Sequence, residues 1–370
     1  MEGEIRNFIA VWITALLSLC YCHTISKFIP RGATRFCTIL PIILLFLYLP
    51  LHLTTIHLGS TTAFFITWLA NFKLLLFAFG KGPLSSNPPL SLPYFLLFSC
   101  LPIKVQHHQA PPNSPKPQVI QNQKYPSPQT SQNSHKSPAN YGTKIVLLAM
   151  LIQAYRYKES IHPKVIMVLY GLHIYINLEL LLVIVAAAVR TSAQLELEPQ
   201  FDEPYLATSL QDFWGKRWNL MVSSILHPTV YVPVRSISAR VIGRKWAPLP
   251  ATIAAFFVSG LMHELIFYYA GRLRPTLEVT CFFLIHGVCL AAEIAVKRAL
   301  NGKFRLPRVV AGPAVIGFVV VTGVWLFIPA FLRFEADVMV KRETAAYVEF
   351  AKEVVRVANV RFRSFNVVSA

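Results

Sequence analysis

Long apolar runs separated by short polar segments dominate the chain. They extend over Asn7–Ile25, Phe36–Leu58, Thr61–Gly80, Val165–Val189, Leu249–Ala270, Leu277–Val296 and Val309–Leu332. A hydrocarbon core about 30 Å thick takes roughly 20 apolar residues per helix, so each run predicts a membrane span. Two further runs, Lys144–Tyr155 and Pro93–Ile103, are too short to span alone. They read as re-entrant pieces, buried half-helices or parts of longer tilted spans. The expected fold is all-α, a polytopic transmembrane bundle of seven to nine helices. Glu2 and Glu4 dilute a positive start before the first run, which leaves through Cys20, Tyr21, Cys22 and His23 without a small-residue cleavage site. It is expected to stay as a signal-anchor.

Two segments depart from this pattern. Lys104–Lys144 holds seven prolines among Gln, Asn and Ser, with no acidic residue and almost nothing to bury. That composition predicts a disordered loop that the bundle tolerates. Glu196–Trp246 is semi-polar and rich in Trp and Arg, too charged to span lipid, and reads as an interfacial or bundle-buried segment. The expected organisation is therefore N-terminal transmembrane helices over 1–103, the loop over 104–144, and a core over 145–370 that contains the segment 196–246.

Composition sharpens the membrane reading. Of 370 residues, 54% are hydrophobic and 14% charged, too few charges to coat a soluble protein of this length. The net charge is +18, but the cations are spread over almost every connecting segment, so the positive-inside rule gives no orientation. Because they flank apolar spans, anionic lipid headgroups or an anionic cosubstrate fit them better than nucleic acid, which is not an expected partner. The six cysteines offer no C-x-x-C spacing and read as buried thiols rather than disulfides or metal ligands.

Two constellations carry candidate chemistry. Read as one helix, Asp212–His227 places Asp212, Lys216, Asn219 and Ser223 on one face, with Trp214, Trp218, Met221 and Ile225 about 200° round. One account is an amphipathic helix in the headgroup layer with Lys216 and Arg217 snorkelling. The other is a polar stripe that lines a cavity, with Asn219 donating to a carbonyl. The second constellation lies in the span Leu249–Ala270, where Ser259, His263 and Glu264 interrupt apolar residues. Ionisable groups in a span usually face the bundle interior. Ser259, one turn before His263, leaves room beside the imidazole, and Glu264 is placed to orient a neighbouring helix. Neutral imidazole is suited to general-base work, yet an interhelical hydrogen bond accounts for one intramembrane histidine equally well. His173 and His286 read as structural, and His107 and His108 belong to the loop. G-x-S-x-G, H-E-x-x-H, the glycine loops of nucleotide binders, H-x-x-H, H-x-x-x-H and H-x-x-x-x-D are all missing from the sequence. What remains is metal-free, histidine-based chemistry in a membrane bundle, or a transporter or structural membrane protein whose histidine only bonds a neighbouring helix.

The run EPYLATSLQDFWGKRWNLMVSSILHPTVYVPV from Glu203, followed by FFVSGLMHELIFYY from Phe256, resembles the membrane-bound O-acyltransferases, specifically the wax synthase branch. The opening MEGEIRNFIAVWITALLSLCYC and the segment EVTCFFLIHGVCLAAEIAVKR resemble it too, so the likeness covers nearly the whole chain. The resemblance implies that a fatty acyl group moves from acyl-CoA to a hydroxyl, with no resident cofactor. In the wax synthase branch the acceptor is a long-chain alcohol and the product a wax ester made in the endoplasmic reticulum. Relatives acylate sterols, and other members of the family acylate glycerides or proteins. It also implies that His263 is the catalytic histidine and Asn219 its companion, with Asp212, Trp214 and Trp218 at flanking positions. The cations Lys216, Arg217, Arg240, Arg244 and Lys245 are candidates for the CoA phosphates, although each could equally meet lipid headgroups.

Overall fold

A computed structural model describes residues 2–102, 138–193, 198–301 and 306–346, together with 349, 352 and 356. Among them every regular element is helical. We label the main helices α1 (Glu2–Ile25), α2 (Ala33–His52), α3 (Ile56–Ala78), α4 (Leu92–Cys100), α5 (Pro138–Ala154), α6 (Pro163–Ala193), α7 (Leu220–Leu226), α8 (Val232–Val241), α9 (Pro248–Gly271), α10 (Glu278–Ala299) and α11 (Arg308–Leu332). Seven segments of the described residues are long and apolar enough to cross a membrane, and each overlaps one of the seven runs read from the sequence. The chain is a multi-pass membrane protein.

The short runs resolve differently. Pro93–Ile103 supplies α4, a half-helix of nine residues. Its last carbonyls are met by a cation: buried Lys73 of α3 donates to the carbonyls of Phe98 and Leu101, at 2.6 Å each. A cation is favoured at a helix C-terminus, where carbonyls lack intrahelical partners. The other short run becomes part of α5, which starts at Pro138 and so takes up the last residues of the segment read as loop. Residues 104–137 of that segment lie outside the described residues.

The helices group into two compact units. The smaller, Ile103–Pro199, contains α5 and α6, joined at their buried faces by Lys144 and Glu179 at 2.7 Å. Tyr155 stacks on His173 in the same unit, the ring centroids 5.6 Å apart. The larger unit joins residues 1–102 to 200–370, so the N-terminal spans and the C-terminal core build one packed body.

Within the larger unit α9 and α10 approach closely because small residues stand at their crossing. A Cβ on Gly260 would sit 2.8 Å from the Thr280 Cα, and one on Gly287 would sit 2.7 Å from the Phe256 Cβ. Glu264 of α9 sets the start of α10: its Oε1 accepts from the backbone N–H groups of Val279 and Thr280, at 3.1 Å each. That fills two of the orphan donors at a helix N-terminus and gives the carboxylate a favourable place in the helix field. The far end of α9 closes on Arg272, which has φ 53° and donates through Nη2 to the carbonyls of Pro50 and Leu53.

The segment Asp212–His227 is not one helix. A single turn, Leu210–Asp212, leads into a π-helical turn, Phe213–Arg217. Trp218 is extended (φ −98°, ψ 120°), Asn219 is left-handed (φ 39°, ψ 67°), and α7 begins only at Leu220. The proposed polar stripe from Asp212 to Ser223 therefore does not exist as a face. Asparagine tolerates left-handed backbone better than most residues, which is why the break falls there.

Candidate functional site

His263 lies in the second half of α9. Its Nδ1 is 2.7 Å from the carbonyl oxygen of Ser259, one turn earlier. A carbonyl only accepts, so the neutral ring carries its hydrogen on Nδ1 and leaves the Nε2 lone pair bare. That tautomer can take a proton from a hydroxyl. Aromatic rings surround the imidazole: Phe283 of α10 at 4.4 Å between centroids, Trp68 of α3 edge-on at 5.6 Å, and Phe327 of α11 edge-on at 6.1 Å. Four spans thus converge on one apolar, histidine-centred site.

Trp68 gives no signal in the sequence, since it is one of many large apolar residues in the run Thr61–Gly80. It is 2% exposed, and its indole Nε1 is buried without a hydrogen-bond partner. An unsatisfied buried donor costs about 1–3 kcal/mol and calls for an explanation. Asn219 presents the complementary case, because its Oδ1 is also buried and unpartnered. Both residues belong to elements that pack together: Phe65 and Leu69, flanking Trp68, share a buried cluster with Met221 and Ile225 of α7. The indole N–H lacks an acceptor, such as a carbonyl oxygen, and the amide oxygen lacks a donor, such as a hydroxyl.

Among the other residues singled out in the sequence, Asp212, Trp214, Arg217 and Trp218 make contacts within the protein. Arg217 donates through Nε to Asp212 at 3.0 Å and through Nη1 to the carbonyl of Asp202 at 3.0 Å. Asp212 also accepts from the Thr208 backbone at 3.2 Å. Trp218 stacks on Phe213 at 5.4 Å, and Lys216 is exposed. Trp214 enters the bundle, its ring meeting Phe256 at 5.4 Å and Phe283 at 5.9 Å while its Nε1 donates to His286 Nδ1 at 3.1 Å. Phe283 therefore touches both Trp214 and His263. Arg240, Arg244 and Lys245 are exposed. Three of the residues at or beside this site, Trp68, Trp214 and Phe327, stand in π-helical stretches, Ala63–Ala70, Phe213–Arg217 and Gly323–Phe327. Such wide turns are rare in helices and frequent at functional sites.

Residues 197–285, which include both Asn219 and His263, match the membrane bound O-acyl transferase family. The chain is 47% identical over 351 residues to Acyl-CoA–sterol O-acyltransferase 1 of Arabidopsis thaliana, covering 95% of this chain and 97% of the relative. It is 45% identical over 338 residues to the long-chain-alcohol O-fatty-acyltransferase of Simmondsia chinensis, covering 91% and 93% respectively. Matched over almost its whole length by such relatives, this multi-pass protein is an acyltransferase that belongs to the membrane-bound O-acyltransferase family.

Proposed function

We propose that the protein transfers a fatty acyl group from acyl-CoA to the hydroxyl of a long-chain alcohol, forming a wax ester, and that it does so in the endoplasmic reticulum membrane. The observation that carries the chemistry is His263, with Nδ1 committed to the Ser259 carbonyl and Nε2 bare within a ring of aromatic side chains. The acceptor follows from the relative in Simmondsia chinensis, whose name is long-chain-alcohol O-fatty-acyltransferase.

In this reading His263 Nε2 removes the alcohol proton as the oxygen attacks the thioester carbonyl carbon. The carbon–sulfur bond then breaks, and the imidazolium returns the proton to the CoA thiolate, giving ester and free CoA. Only the two substrates react, and no acyl-enzyme forms. Asn219 holds the attacking hydroxyl or the developing oxyanion through its side-chain amide, and the Trp68 N–H is a second donor for the carbonyl oxygen. The dry aromatic walls strengthen each of these bonds and keep water from competing with the alcohol. In the same reading the exposed cations Arg240, Arg244 and Lys245 are candidates for CoA phosphates or lipid headgroups.

A sterol is the second reading for the acceptor, favoured by the 47% identity to a sterol acyltransferase. Microsomes from cells expressing the chain, given labelled acyl-CoA with a long-chain alcohol, a sterol or a diacylglycerol in turn, separate the readings. Labelled wax ester in excess over the other products supports the proposal, and steryl ester as the main product replaces it with the second reading.

A further inference from the structure

The span α10 carries a second intramembrane histidine, His286, which the reaction as described does not use. It is fully buried, at 0% exposure. Its Nδ1 receives the Trp214 Nε1–H at 3.1 Å, and its Nε2 lies 2.9 Å from Thr322 Oγ1 on α11. An indole nitrogen can only donate, so Nδ1 is bare and Nε2 carries the ring hydrogen. That hydrogen goes to Thr322, whose hydroxyl donates on to the Phe318 carbonyl at 2.7 Å. The same hydroxyl also reaches the Val319 carbonyl at 3.2 Å, and the chain runs in one direction from Trp214 through His286 and Thr322 to the α11 backbone. A neutral imidazole in a single tautomer completes it. With both nitrogens occupied, His286 is no candidate for the base, in contrast to His263.

What the chain holds is the Trp214 indole. Trp214 sits in the π turn Phe213–Arg217, immediately before the break at Trp218 and Asn219, so its side chain ties that irregular backbone to the spans. The same helix grips the segment at a second point, where Glu293 accepts from the backbone N–H of Leu210 at 2.8 Å. On its other side the indole meets Phe283, whose ring lies 4.4 Å from His263.

We propose that His286 is a positioning residue for acyl transfer, fixing the Trp214 indole so that the Asn219 segment and the Phe283 wall of His263 keep their relative placement. The inference rests on the reading of His263 as the base. It touches neither substrate, so its loss acts on the chemical step more than on binding.

Four variants made in the full-length protein test it: His286→Gln, His286→Leu, Trp214→Phe and the double variant His286→Leu/Trp214→Phe, with His263→Ala as control. Ester formation is measured against alcohol and acyl-CoA concentration in membranes matched for protein. Glutamine can accept through Oε1 and donate through Nε2, as the histidine does, whereas leucine can do neither. We expect His286→Leu to lower kcat about tenfold or more with both KM values within about threefold, and His286→Gln to recover most of that loss. Because Trp214→Phe breaks the same bond from its other end, it should also lower kcat, and the double variant should be no more than about twofold below the worse single variant. Full activity in His286→Leu, no recovery by glutamine, or losses that multiply in the double variant would overturn the inference. Should His286→Leu fail to accumulate, Trp214→Phe decides: unchanged kcat overturns the inference, as does a loss confined to KM, and a reduced kcat with both KM values within about threefold supports it. Activity in His263→Ala would instead remove the reading of the base, and an inactive His263→Ala beside unaffected His286 variants removes this inference alone.

Discussion

Asn219 joins two demands in one residue, and replacing it by glycine separates them. Its backbone is left-handed at φ 39°, and its Oδ1 is buried without a partner. Alanine would lose the amide and also tolerate left-handed backbone less well than asparagine does, so a defect in Asn219→Ala mixes strain with chemistry. Glycine adopts that conformation freely, and Asn219→Gly therefore removes only the amide. The folded protein loses no hydrogen bond from Oδ1, because none is made. Stability should fall by less than about 1 kcal/mol, chiefly from the looser unfolded chain. If the amide holds the oxyanion or the attacking hydroxyl, kcat should fall about 10²–10³-fold, equivalent to about 2.7–4 kcal/mol of transition-state stabilisation. Initial rates of labelled ester formation, with the variant quantified in the same membranes, measure this. Asn219→Gly accumulating normally and turning over within a few-fold of the wild type would refute the role given to Asn219.

Three further outcomes follow from the same contacts. Trp68→Phe keeps a ring against His263 and deletes an N–H that has no partner in the protein, so thermal stability in detergent should hold or rise while kcat falls about tenfold; unchanged turnover removes Trp68 from the site. Glu264→Leu strips the start of α10 of its acceptor and should cost about 1–3 kcal/mol, seen as a lower Tm, with Glu264→Gln intermediate; equal Tm values for leucine and wild type would show that the cap is idle. Glu343 accepts from the backbone of Ile56 and His57 and from the His57 ring at the start of α3. Burial pulls its pKa up, but these hydrogen bonds pull it down further, to below the ordinary value of 4.5. A carboxyl with a depressed folded pKa stabilises above its unfolded pKa and loses that stabilisation as pH falls through the folded one. Protection of the amides of residues 56 and 57, with exchange corrected for its intrinsic pH dependence, should therefore be steady from pH 7 to about pH 5 and fall below 4.5, and Glu343→Gln should abolish that step; an acid step that survives in the variant assigns it elsewhere.

The spans were legible because twenty consecutive apolar residues leave few alternatives to a membrane helix. Glu264 was legible as a residue that orients a neighbour, although not as the cap of the next helix, since the turn that brings α10 back over it is invisible to periodicity. The break at Asn219 was missed for a related reason. A 3.6-residue period continues smoothly through Trp218, and only the backbone angles reveal that two residues leave the helix. The remaining signal was the asparagine itself, which tolerates left-handed backbone. His286 looked isolated because its partners, Trp214 and Thr322, lie 72 and 36 positions away in sequence. Trp68 was hidden for the opposite reason, being one aromatic residue among many in a predominantly apolar run.

The central claim is that His263 is the general base. Its most direct measurement is ester formation by His263→Ala in membranes that contain wild-type amounts of the variant, with labelled acyl-CoA and a long-chain alcohol. The account predicts product at the level of membranes lacking the protein, since the substitution removes the bare basic nitrogen held among the aromatic walls. Wild-type turnover by a well-accumulated His263→Ala protein would contradict it.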